Sequence, residues 1–417
     1  MKTKAQRPRP KRFHLPQSVV DGLQPVGIGC VGAGFVFDAY MQTHHLHPWL
    51  DLRAVFDRDT ARARQVKDYF GTPMVDSLEA ILGDPSISIV LNLTNPSEHF
   101  AVTKALLEAG KHVYSEKPLA TTVGEARALA QLAEARGLQV GCAPSSLFGE
   151  AAQTLWRALR RGQIGQPRMV IANLDEGASH HQNLAETLIN PSGAKWPAWD
   201  EYRVGCTAEH AGYVLTWMVA FFGSVRRVMS YSKVFFPDKG IPIPVGEMAP
   251  DYATAMLEFE NGVVAQINSS VVTPPNHGLY VVGETGYLKV DHVWPFACPV
   301  TLVQHARPWL TETVAPVSEP VWDPKGLSRP WYYRHWRLRD YLLDPADRAF
   351  GVGDDKMRGV TEFMLAIASG QPYGLGGDFS AHITEVTYAI QDGTTHAGWQ
   401  DMTTRAPAIQ PPSWVGG

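Results

Sequence analysis

Short apolar runs alternate with helical patterns through the first third of this chain. The runs lie at residues 26–31, 52–56, 87–93, 112–114 and 138–143, with helical segments between them. The run at 87–93 is continuously apolar, which is typical of a strand buried in a parallel sheet. Alternating strands and helices build a parallel sheet covered by helices on both faces. Residues 25–144 therefore predict a doubly wound α/β domain with a Rossmann-type sheet.

The pattern changes after residue 144, where strand signals follow one another directly. Such runs lie at 225–236, 253–259, 263–272, 279–282 and 287–290, while helical patterns cover 151–161, 207–222, 354–369 and 380–391. Asn261-Gly262 is a hairpin turn signal between two of the runs. The stretch 291–355 is irregular and aromatic. We predict an α+β domain over 145–391, built on a large, mostly antiparallel open sheet, and a tail at 392–417.

Composition and charge narrow the class of protein. The chain has 417 residues, of which 45% are hydrophobic and 19% charged, and its net charge is −4 at pH 7. This length is sufficient for two domains with full hydrophobic cores. The charge gives no reason to expect nucleic acid or an anionic membrane as a partner, and no stretch approaches the roughly 18 consecutive apolar residues of a membrane span. Four scattered cysteines without a C-x-x-C pair favour free thiols in a reducing compartment.

Residues 1–24 form a basic, proline-rich arm. Its positive charges are interrupted by Pro8, Pro10 and Pro16. A segment of this kind buries little apolar surface, so it is expected either to be mobile or to pack on a neighbouring subunit. It lacks the apolar core of a secretory signal, and we therefore expect a cytoplasmic protein.

A glycine-rich turn follows the first predicted strand and precedes a helix. Gly32 and Gly34 there would let the backbone approach a pyrophosphate at a helix N-terminus. Phe37 replaces the third glycine of the usual fingerprint, and an ordinary tight turn would also use two glycines. The position of the turn favours dinucleotide binding, with Gly32, Gly34, Phe35 and Val36 as cofactor contacts.

Asp57 stands at the end of the second predicted strand, a little over twenty residues beyond the turn. A carboxylate at this place accepts hydrogen bonds from the adenosine ribose hydroxyls and repels a 2′-phosphate. Arg58 follows and could instead bind that phosphate, while a solvated loop acid is the structural alternative for Asp57. We expect NAD as the cofactor, with NADP as the alternative.

Thr94-Asn95-Pro96 ends the strand that would be the fourth of such a domain, where the second half of a dinucleotide is expected. His99 lies one helical turn further on. We predict that all four residues contact the cofactor, although a lone histidine at this place is often only part of a helix surface.

Glu116-Lys117-Pro118 ends the predicted fifth strand. A lysine there would stand beside a bound nicotinamide, where an ammonium can act as general acid or base and hold the substrate oxygen. Most Glu-Lys pairs are solvated surface charges, and the significance of this pair comes from the motifs that precede it. We predict Lys117 as the catalytic residue and both Glu116 and Lys117 as cofactor contacts.

Glu209 and Tyr213 are four residues apart on a predicted helix and therefore share one face. A carboxylate and a phenol that face Lys117 could orient a hydroxyl group and help to move its proton. The alternative is that Tyr213 belongs to the core and Glu209 to the first turn of the helix. We predict both as catalytic residues, with His210 as a nearby rival.

Two histidine groups suggest a metal site at first sight. His44, His45 and His47 form one group, and His180 and His181 form the other. Their spacing matches no zinc framework, so we predict no catalytic metal. Aromatic residues also cluster at 331–336, either as a surface that stacks on a sugar ring or as a hydrophobic clamp under a long loop.

These motifs together resemble the Gfo/Idh/MocA oxidoreductases, a family named for glucose–fructose oxidoreductase and inositol dehydrogenase. The resemblance covers residues 25 to about 391. Its most specific part is the run from Ala109 to Pro118, AGKHVYSEKP, which is similar to the family's AGKHV–EKP signature. Thr94-Asn95-Pro96 with His99 resembles a second family motif.

The resemblance implies an N-terminal Rossmann domain and a C-terminal domain whose large open sheet commonly forms a dimer interface. It also implies NAD or NADP, substrates that are usually sugars, polyols or cyclitols, and Lys117 as the conspicuous catalytic residue. Family dehydrogenases often carry Asp-x-x-x-His where this chain has Glu209 and Tyr213. Ser145-Ser146 stands where many members place an arginine, and the 291–355 stretch is longer than in many members.

The predicted function is oxidation of a secondary hydroxyl in a sugar, glycoside or cyclitol by hydride transfer to nicotinamide. Two alternatives remain open from the sequence. One is a glycoside-cleaving member that oxidises and re-reduces the sugar around an elimination, and the other is a non-catalytic dinucleotide sensor. We further expect a homodimer or homotetramer that assembles through residues 225–290, with a small-molecule substrate and neither nucleic acid nor a membrane as a partner.

Overall fold

The structure is a computed structural model that describes residues 22–244, 246–305, 333–337 and 355–412. Most of the predicted basic arm therefore lies outside the described residues. The same holds for Trp331 and Tyr332 of the predicted aromatic cluster and for the end of the tail.

Five parallel strands form the sheet of the N-terminal half. They are β1 (Val26–Val31), β2 (Leu50–Phe56), β3 (Ile89–Asn92), β4 (His112–Ser115) and β5 (Val140–Cys142). Their order in the sheet is β2-β1-β3-β4-β5. Between β2 and β3 the chain adds no further strand to the sheet, but only an isolated β-bridge between Val55 and Met74. The strands predicted as the fifth and sixth are therefore the fourth and fifth of the sheet. The prediction of a Rossmann-type parallel sheet is confirmed.

Five helices connect these strands. They are α1 (Phe37–His44), α2 (Thr60–Phe70), α3 (Leu78–Gly83), α4 (His99–Glu108) and α5 (Val123–Ala135). Side chains that accept hydrogen bonds from otherwise unpaired amides start three of them: the carboxylate of Asp59 caps α2, and the hydroxyls of Ser77 and Thr122 cap α3 and α5. The helix positions are thus set by local sequence signals.

A nine-stranded sheet dominates the second half. Its strands are β6 (Pro167–Asp175), β7 (Val225–Lys233), β8 (Tyr252–Phe259), β9 (Val264–Ser270), β10 (Leu279–Gly283), β11 (Gly286–Val290), β12 (Val300–His305), β13 (Tyr333–Arg337) and β14 (Gln400–Asp401). The order is β13-β12-β11-β10-β6-β9-β8-β7-β14, and only β6 and β9 pair in parallel. The five strands predicted between residues 225 and 290 and the mostly antiparallel open sheet are confirmed.

The prediction that residues 291–355 are irregular is wrong for two described segments. β12 pairs antiparallel with β11, and β13 pairs antiparallel with β12, so both extend the sheet beyond the predicted edge. An unpaired sheet edge presents backbone groups that a further strand can pair with, so the neighbouring strand stabilises these segments.

The described part of the second half contains six helices. They are α6 (Glu150–Arg160), α7 (Leu184–Thr187), α8 (Ala198–Val204), α9 (Cys206–Phe222), α10 (Lys356–Ala368) and α11 (Gly377–Gln391). The buried residues of α9 lie on all of its sides, as expected for a helix enclosed within a core. α11 contacts α5, α9 and β7, and it therefore packs between the two halves of the chain.

The other face of the large sheet carries partly exposed side chains. The register aligns Met229, Met256, Gln266, Ile171 and Tyr280 in one row across five neighbouring strands. None of these residues is fully buried, whereas the alternate positions of the same strands are buried against helices. The sheet therefore has one covered face and one mixed apolar and polar face.

Residues 400–406 of the predicted tail pack against the edge of the large sheet. Glu385 on α11 anchors them, because its carboxylate accepts hydrogen bonds from the backbone amides of Thr403 and Thr404, both at 2.8 Å, and from both hydroxyls. Burial raises the pKa of Glu385, but these four hydrogen bonds outweigh it, so the pKa lies below its usual value.

Glu385→Gln is expected to reduce the free energy of unfolding by about 1.5–3 kcal/mol near neutral pH, since a glutamine supplies one acceptor and an N–H group that opposes the amides. The folded-state pKa is lowered, so the contribution of Glu385 is complete above its unfolded pKa and is lost as the pH falls through the folded pKa. Urea unfolding measured near neutral pH and in acid should show a mutational effect that shrinks in acid. Glu134→Gln, at an exposed position on α5, is the matched control. A pH-independent effect would contradict the assigned role of the carboxylate.

Candidate active site

The turn after β1 has one glycine that is required by packing and one that leaves space. Gly32 has φ +92°, and a Cβ there would lie 2.6 Å from the carbonyl oxygen of Leu93. A Cβ on Gly34 would meet no atom within 4 Å, so the backbone is open to a ligand. Phe37, in place of a third glycine, is fully buried and packs edge to face on Phe70 at 5.9 Å. The open backbone before α1 fits a pyrophosphate, and the missing glycine is explained by a core aromatic residue.

Asp57 lies directly beside this turn. One carboxylate oxygen accepts the amide of Ala33 at 2.7 Å, and the other accepts the amide of Asp59 at 2.8 Å. Each oxygen keeps a further lone pair, so the group can still accept hydroxyl donors. Arg58 is 77% exposed at its side chain and forms a long ion pair of 3.5 Å with Glu98. The geometry thus places the carboxylate, rather than the guanidinium, against the glycine turn.

A segment of the second half contacts the turn as well. The side-chain amide of Asn190 donates to the carbonyl of Phe35 at 3.0 Å, and the backbone amide of Ser192 donates to Asp38 at 2.8 Å. Arg62 donates to the hydroxyl of Ser192 at 2.6 Å. The sequence offers no signal for these contacts, because they join segments more than 120 residues apart.

The turn after β3 carries the next group of predicted cofactor contacts. The hydroxyl of Thr94 donates to Asn92 at 2.6 Å, and the amide of Asn95 donates to Asp200 at 2.7 Å. Pro96 begins a short 3-10 helix that leads into α4. The turn is therefore tied both to its own strand and to α8 in the second half.

His99 is 1% exposed and lies between two loops. Its Nε2 is 2.9 Å from the carbonyl of Thr94, and its Nδ1 is 2.5 Å from the carbonyl of Pro118. Burial lowers the pKa of His99, while the two carbonyls oppose this shift because an imidazolium would donate to both. The ring thereby joins the turn after β3 to the loop after β4; its direct contact with a cofactor stays a prediction.

Glu116 positions the backbone of the loop after β4. Its carboxylate accepts the hydroxyl of Tyr40 at 2.9 Å and the amide of Lys117 at 3.0 Å. Burial raises the pKa of Glu116, but the charges of Lys356 and Lys117 outweigh it, so the pKa is lowered and the group stays ionised. A buried carboxylate with two donors holds the lysine backbone in place.

Lys117 and Glu209 form an ion pair between the loop after β4 and the first turn of α9. Their side chains are 18% and 4% exposed. Burial lowers the pKa of Lys117, but the carboxylates of Glu209 and Glu201 outweigh it and raise the pKa, so the side chain is an ammonium. The charge pair joins the two halves of the chain at the reactive group that the sequence predicts.

Glu201 is a third ionisable group in this cluster, and it was not predicted from the sequence. It lies on α8, which begins within a stretch, 179–203, that is rich in tryptophan, proline and histidine. Burial raises the pKa of Glu201 well above its usual value, and the neighbouring charge of Glu209 raises it further. Glu201 lies eight residues before Glu209, with a glycine between them. This pattern is too common to have indicated that Glu201 lies close to Lys117 and Glu209.

These groups open onto a cavity of about 500 Å³, which is in the size range of small-molecule sites. Its lining residues are Lys117, Trp196, Glu201, Glu209, His210, Tyr213, His292, Trp294 and Pro295. The structure thus places the three predicted catalytic residues, together with the rival His210, around one space. Their roles in a reaction stay predictions.

One wall of the cavity is aromatic. Trp294 packs edge to face on Tyr213 at 5.2 Å and on His210 at 5.7 Å. The indole N–H of Trp294 and Nδ1 of His210 are buried and have no hydrogen-bond partner within the described residues. Buried polar atoms normally have partners, so these two can receive polar groups of a ligand. The side chains of the predicted aromatic cluster at 331–336 lie outside the described part of the structure.

Two further observations concern the described ranges only. Among residues 22–244, 246–305, 333–337 and 355–412, no group of three or more His, Cys, Asp or Glu side chains is placed to hold a metal ion. Over the same ranges, every helix is too short or too polar to cross a membrane.

The chain is similar to known oxidoreductases. It is 26% identical over 324 residues to an uncharacterized oxidoreductase of Synechocystis, a match that covers 75% of this chain and 82% of the relative. It is 27% identical over 202 residues to a D-xylose dehydrogenase of Paenarthrobacter nicotinovorans, which covers 46% of this chain and 50% of that one. The crystal structure of a levoglucosan dehydrogenase in complex with NADH and levoglucosan superposes with a TM-score of 0.69 at 18% identity and covers 91% of this chain and all of that one.

Family models match both halves of the chain. Residues 26–143 match the model described as an oxidoreductase family with an NAD-binding Rossmann fold. Residues 152–289 match the model of the GFO/IDH/MocA C-terminal domain. These matches, with the glycine turn, the AGKHVYSEKP run and the nine-stranded open sheet, show that this chain belongs to the Gfo/Idh/MocA family of NAD-binding oxidoreductases.

Proposed function

We propose that the protein is an NAD-dependent dehydrogenase that oxidises a secondary hydroxyl of a sugar, glycoside or cyclitol. The ion pair of Lys117 and Glu209 at the aromatic-walled cavity is the observation that supports this most directly. It provides a proton-transfer group inside a site that is large enough for one sugar ring.

Lys117 acts as a proton relay in this proposal. Its raised pKa keeps it protonated, so it cannot simply accept the proton of a hydroxyl group. It accepts that proton as it passes one of its own to the paired carboxylate of Glu209. The ammonium meanwhile donates a hydrogen bond to the substrate oxygen, and Tyr213 on the same helix face as Glu209 orients the hydroxyl.

NAD, when bound, supplies the hydride acceptor at nicotinamide C4. The residues of this chain that would hold it lie after four neighbouring strands of the parallel sheet. The turn at Gly32 and Gly34 takes the pyrophosphate, and Asp57 takes the adenosine ribose. The turns after β3 and β4, which His99 joins, orient the remaining half.

The cavity favours a cyclic polyhydroxylated substrate. Aromatic rings stack on the C–H faces of a pyranose, while buried polar atoms such as the indole N–H of Trp294 bond its hydroxyls. None of the described residues that line the cavity is an arginine, which a small 2-hydroxy acid would require as a clamp. The similarity to a D-xylose dehydrogenase and to a levoglucosan dehydrogenase supports the same class.

Absorbance of NADH during incubation with monosaccharides, inositols, glycosides and 2-hydroxy acids tests the proposal. Turnover is expected with a cyclic polyol, and Lys117→Met should lower kcat by roughly 10²- to 10⁴-fold, as for loss of a positioned acid/base. The affinity for NAD should change little.

Lys104→Met, at an exposed position on α4, is the matched control and should keep full activity. Turnover confined to 2-hydroxy acids would refute the substrate class. A loss below tenfold in Lys117→Met would remove this residue from the proposed role.

The cofactor preference is expected to depend on the charge of Asp57. Asp57→Ala should shift the ratio of kcat/KM for NAD and NADP toward NADP by about tenfold or more, because a like-charge contact with a 2′-phosphate costs several kcal/mol. Asp57→Asn keeps one acceptor for the turn and isolates the effect of charge. A wild-type preference for NADP would instead indicate that Arg58 binds the 2′-phosphate.

A homodimer through the open face of the large sheet is expected, because an exposed apolar sheet face is normally covered by a partner. Light scattering at micromolar concentration should show a dimer or a tetramer. Ile171→Glu with Met256→Glu should produce monomers, since both residues lie in the central row of that face. Tyr69→Glu, at an exposed site on α2, is the control. A monomeric wild type would exclude this interface.

A further inference from the structure

Glu201 lies between two cavities. It lines the 500 Å³ cavity together with Lys117 and Glu209, and it also lines a second cavity of about 20 Å³. Trp196 and His210 are shared by both cavities in the same way. Glu201 is therefore a carboxyl group that borders both the cavity of the reactive lysine and the second cavity.

We propose that Glu201 is the terminal proton acceptor of the reaction, which receives the substrate proton through Lys117 and Glu209 and releases it toward the second cavity. This inference rests on the proposed dehydrogenase function. Glu201 is a positioning and relay residue in this scheme, because it acts through Glu209 and Lys117.

The contacts of Glu209 support a relay of three groups. One oxygen of its carboxylate pairs with the ammonium of Lys117. The other oxygen is buried and accepts no hydrogen bond within the described residues, so it is available to Glu201 once Glu201 has gained a proton. Closely placed carboxyl groups do not readily ionise together, so the proton taken up by the relay can be held between the two groups after the transfer.

The charges around Glu201 favour its protonated form once the reaction has occurred. Glu209 and Glu116 repel a negative charge at Glu201, while Lys117 stabilises one. Further titratable side chains line the two cavities. They are Cys206, His210 and Tyr213 on α9, His292 after β11, Tyr202 on α8, and the buried pair of Lys239 and Asp251, which neutralise each other.

The proton balance of the proposed step is simple. The substrate carbon loses a hydride to NAD, and the hydroxyl proton moves to Lys117 as Lys117 gives a proton to Glu209 and Glu209 gives one to Glu201. The O–H bond of the substrate breaks, and an O–H bond forms on Glu201. Lys117 and Glu209 return to their original charges, so the site is ready for another substrate once Glu201 loses its proton.

The second cavity provides the exit. A volume of about 20 Å³ exceeds what one water molecule requires. The space is bordered by His210, whose Nδ1 lacks a partner in the described structure, and by the ion pair of Lys239 and Asp251. A water molecule there would have polar partners and could carry the proton away from the carboxyl group.

The pH dependence of kcat/KM for the oxidation tests the inference in the full chain with NAD. Because Glu201 must be ionised to accept a proton, wild-type activity should fall as the pH drops through its raised pKa. Glu201→Gln should lower kcat by about 10- to 100-fold and shift this acidic limb to lower pH. Glu201→Asp keeps a carboxyl group, so it should recover part of the rate and should return the acidic limb of the pH profile toward its wild-type position.

Glu247→Gln, at a surface glutamate that pairs with Arg203, is the control and should match wild type. An unchanged rate and pH profile in Glu201→Gln would overturn the inference. The inference would also be overturned if Glu201→Asp had the same pH profile as Glu201→Gln. Parallel losses of NAD affinity and thermal stability in these two variants would overturn it as well.

A second measurement separates this inference from the proposed function. The infrared difference spectrum between wild type and Glu201→Gln, recorded with NAD bound, should show a protonated carboxyl band that weakens as the pH is raised. If wild type oxidises no polyol yet shows this band, the proposed function fails while the shared proton stands. If wild type turns over but lacks the band, the assignment of Glu201 fails alone.

Discussion

The ion pair between Lys117 and Glu209 is the contact on which the rest of the site depends. It joins the loop after β4 of the parallel sheet to the first turn of α9. An isolated charge at this depth would be costly, so either side chain alone would disfavour the observed packing of the two halves. The same neutralisation keeps an ammonium beside the cavity. The two halves of the chain are in this way joined by the group to which we assign the proton transfer.

Several hydrogen bonds reinforce that connection. The side-chain amide of Asn95 donates to Asp200 across the two halves, and that of Asn190 donates to the carbonyl of Phe35 in the glycine turn. His99 joins the turn after β3 to the loop that carries Lys117. A one-ångström displacement of reacting groups is costly for catalysis, and this set of hydrogen bonds restrains both loops. The stretch 179–203 therefore contributes to the nucleotide side and to the substrate side.

The large sheet provides the frame for the cavity. α9 packs between the sheet and α11. Glu209 in its first turn pairs with Lys117 from the loop after β4. The segment after β11 brings Trp294 against Tyr213 and His210. A rigid sheet that carries the wall residues on its connections is a common arrangement for sites whose specificity varies between relatives. In the proposed function, Lys117 and its partners carry out the chemistry, while the wall selects the substrate.

The sequence by itself determined the elements whose signals are local. The strand and helix alternation, the turn at Gly32 and the AGKHVYSEKP run depend on residues that are near one another in the chain, and they predicted the parallel sheet and Lys117. Only the tertiary structure decided which distant groups meet. Glu201, Trp294 and the strand β12 carry no distinctive local pattern, because their environment is created by sheet pairing and by the docking of α8 and α9 against the parallel sheet. The acidity of Glu201 follows the same division. An exposed glutamate is an ordinary acid, whereas burial and the neighbouring charge of Glu209 raise the pKa of Glu201.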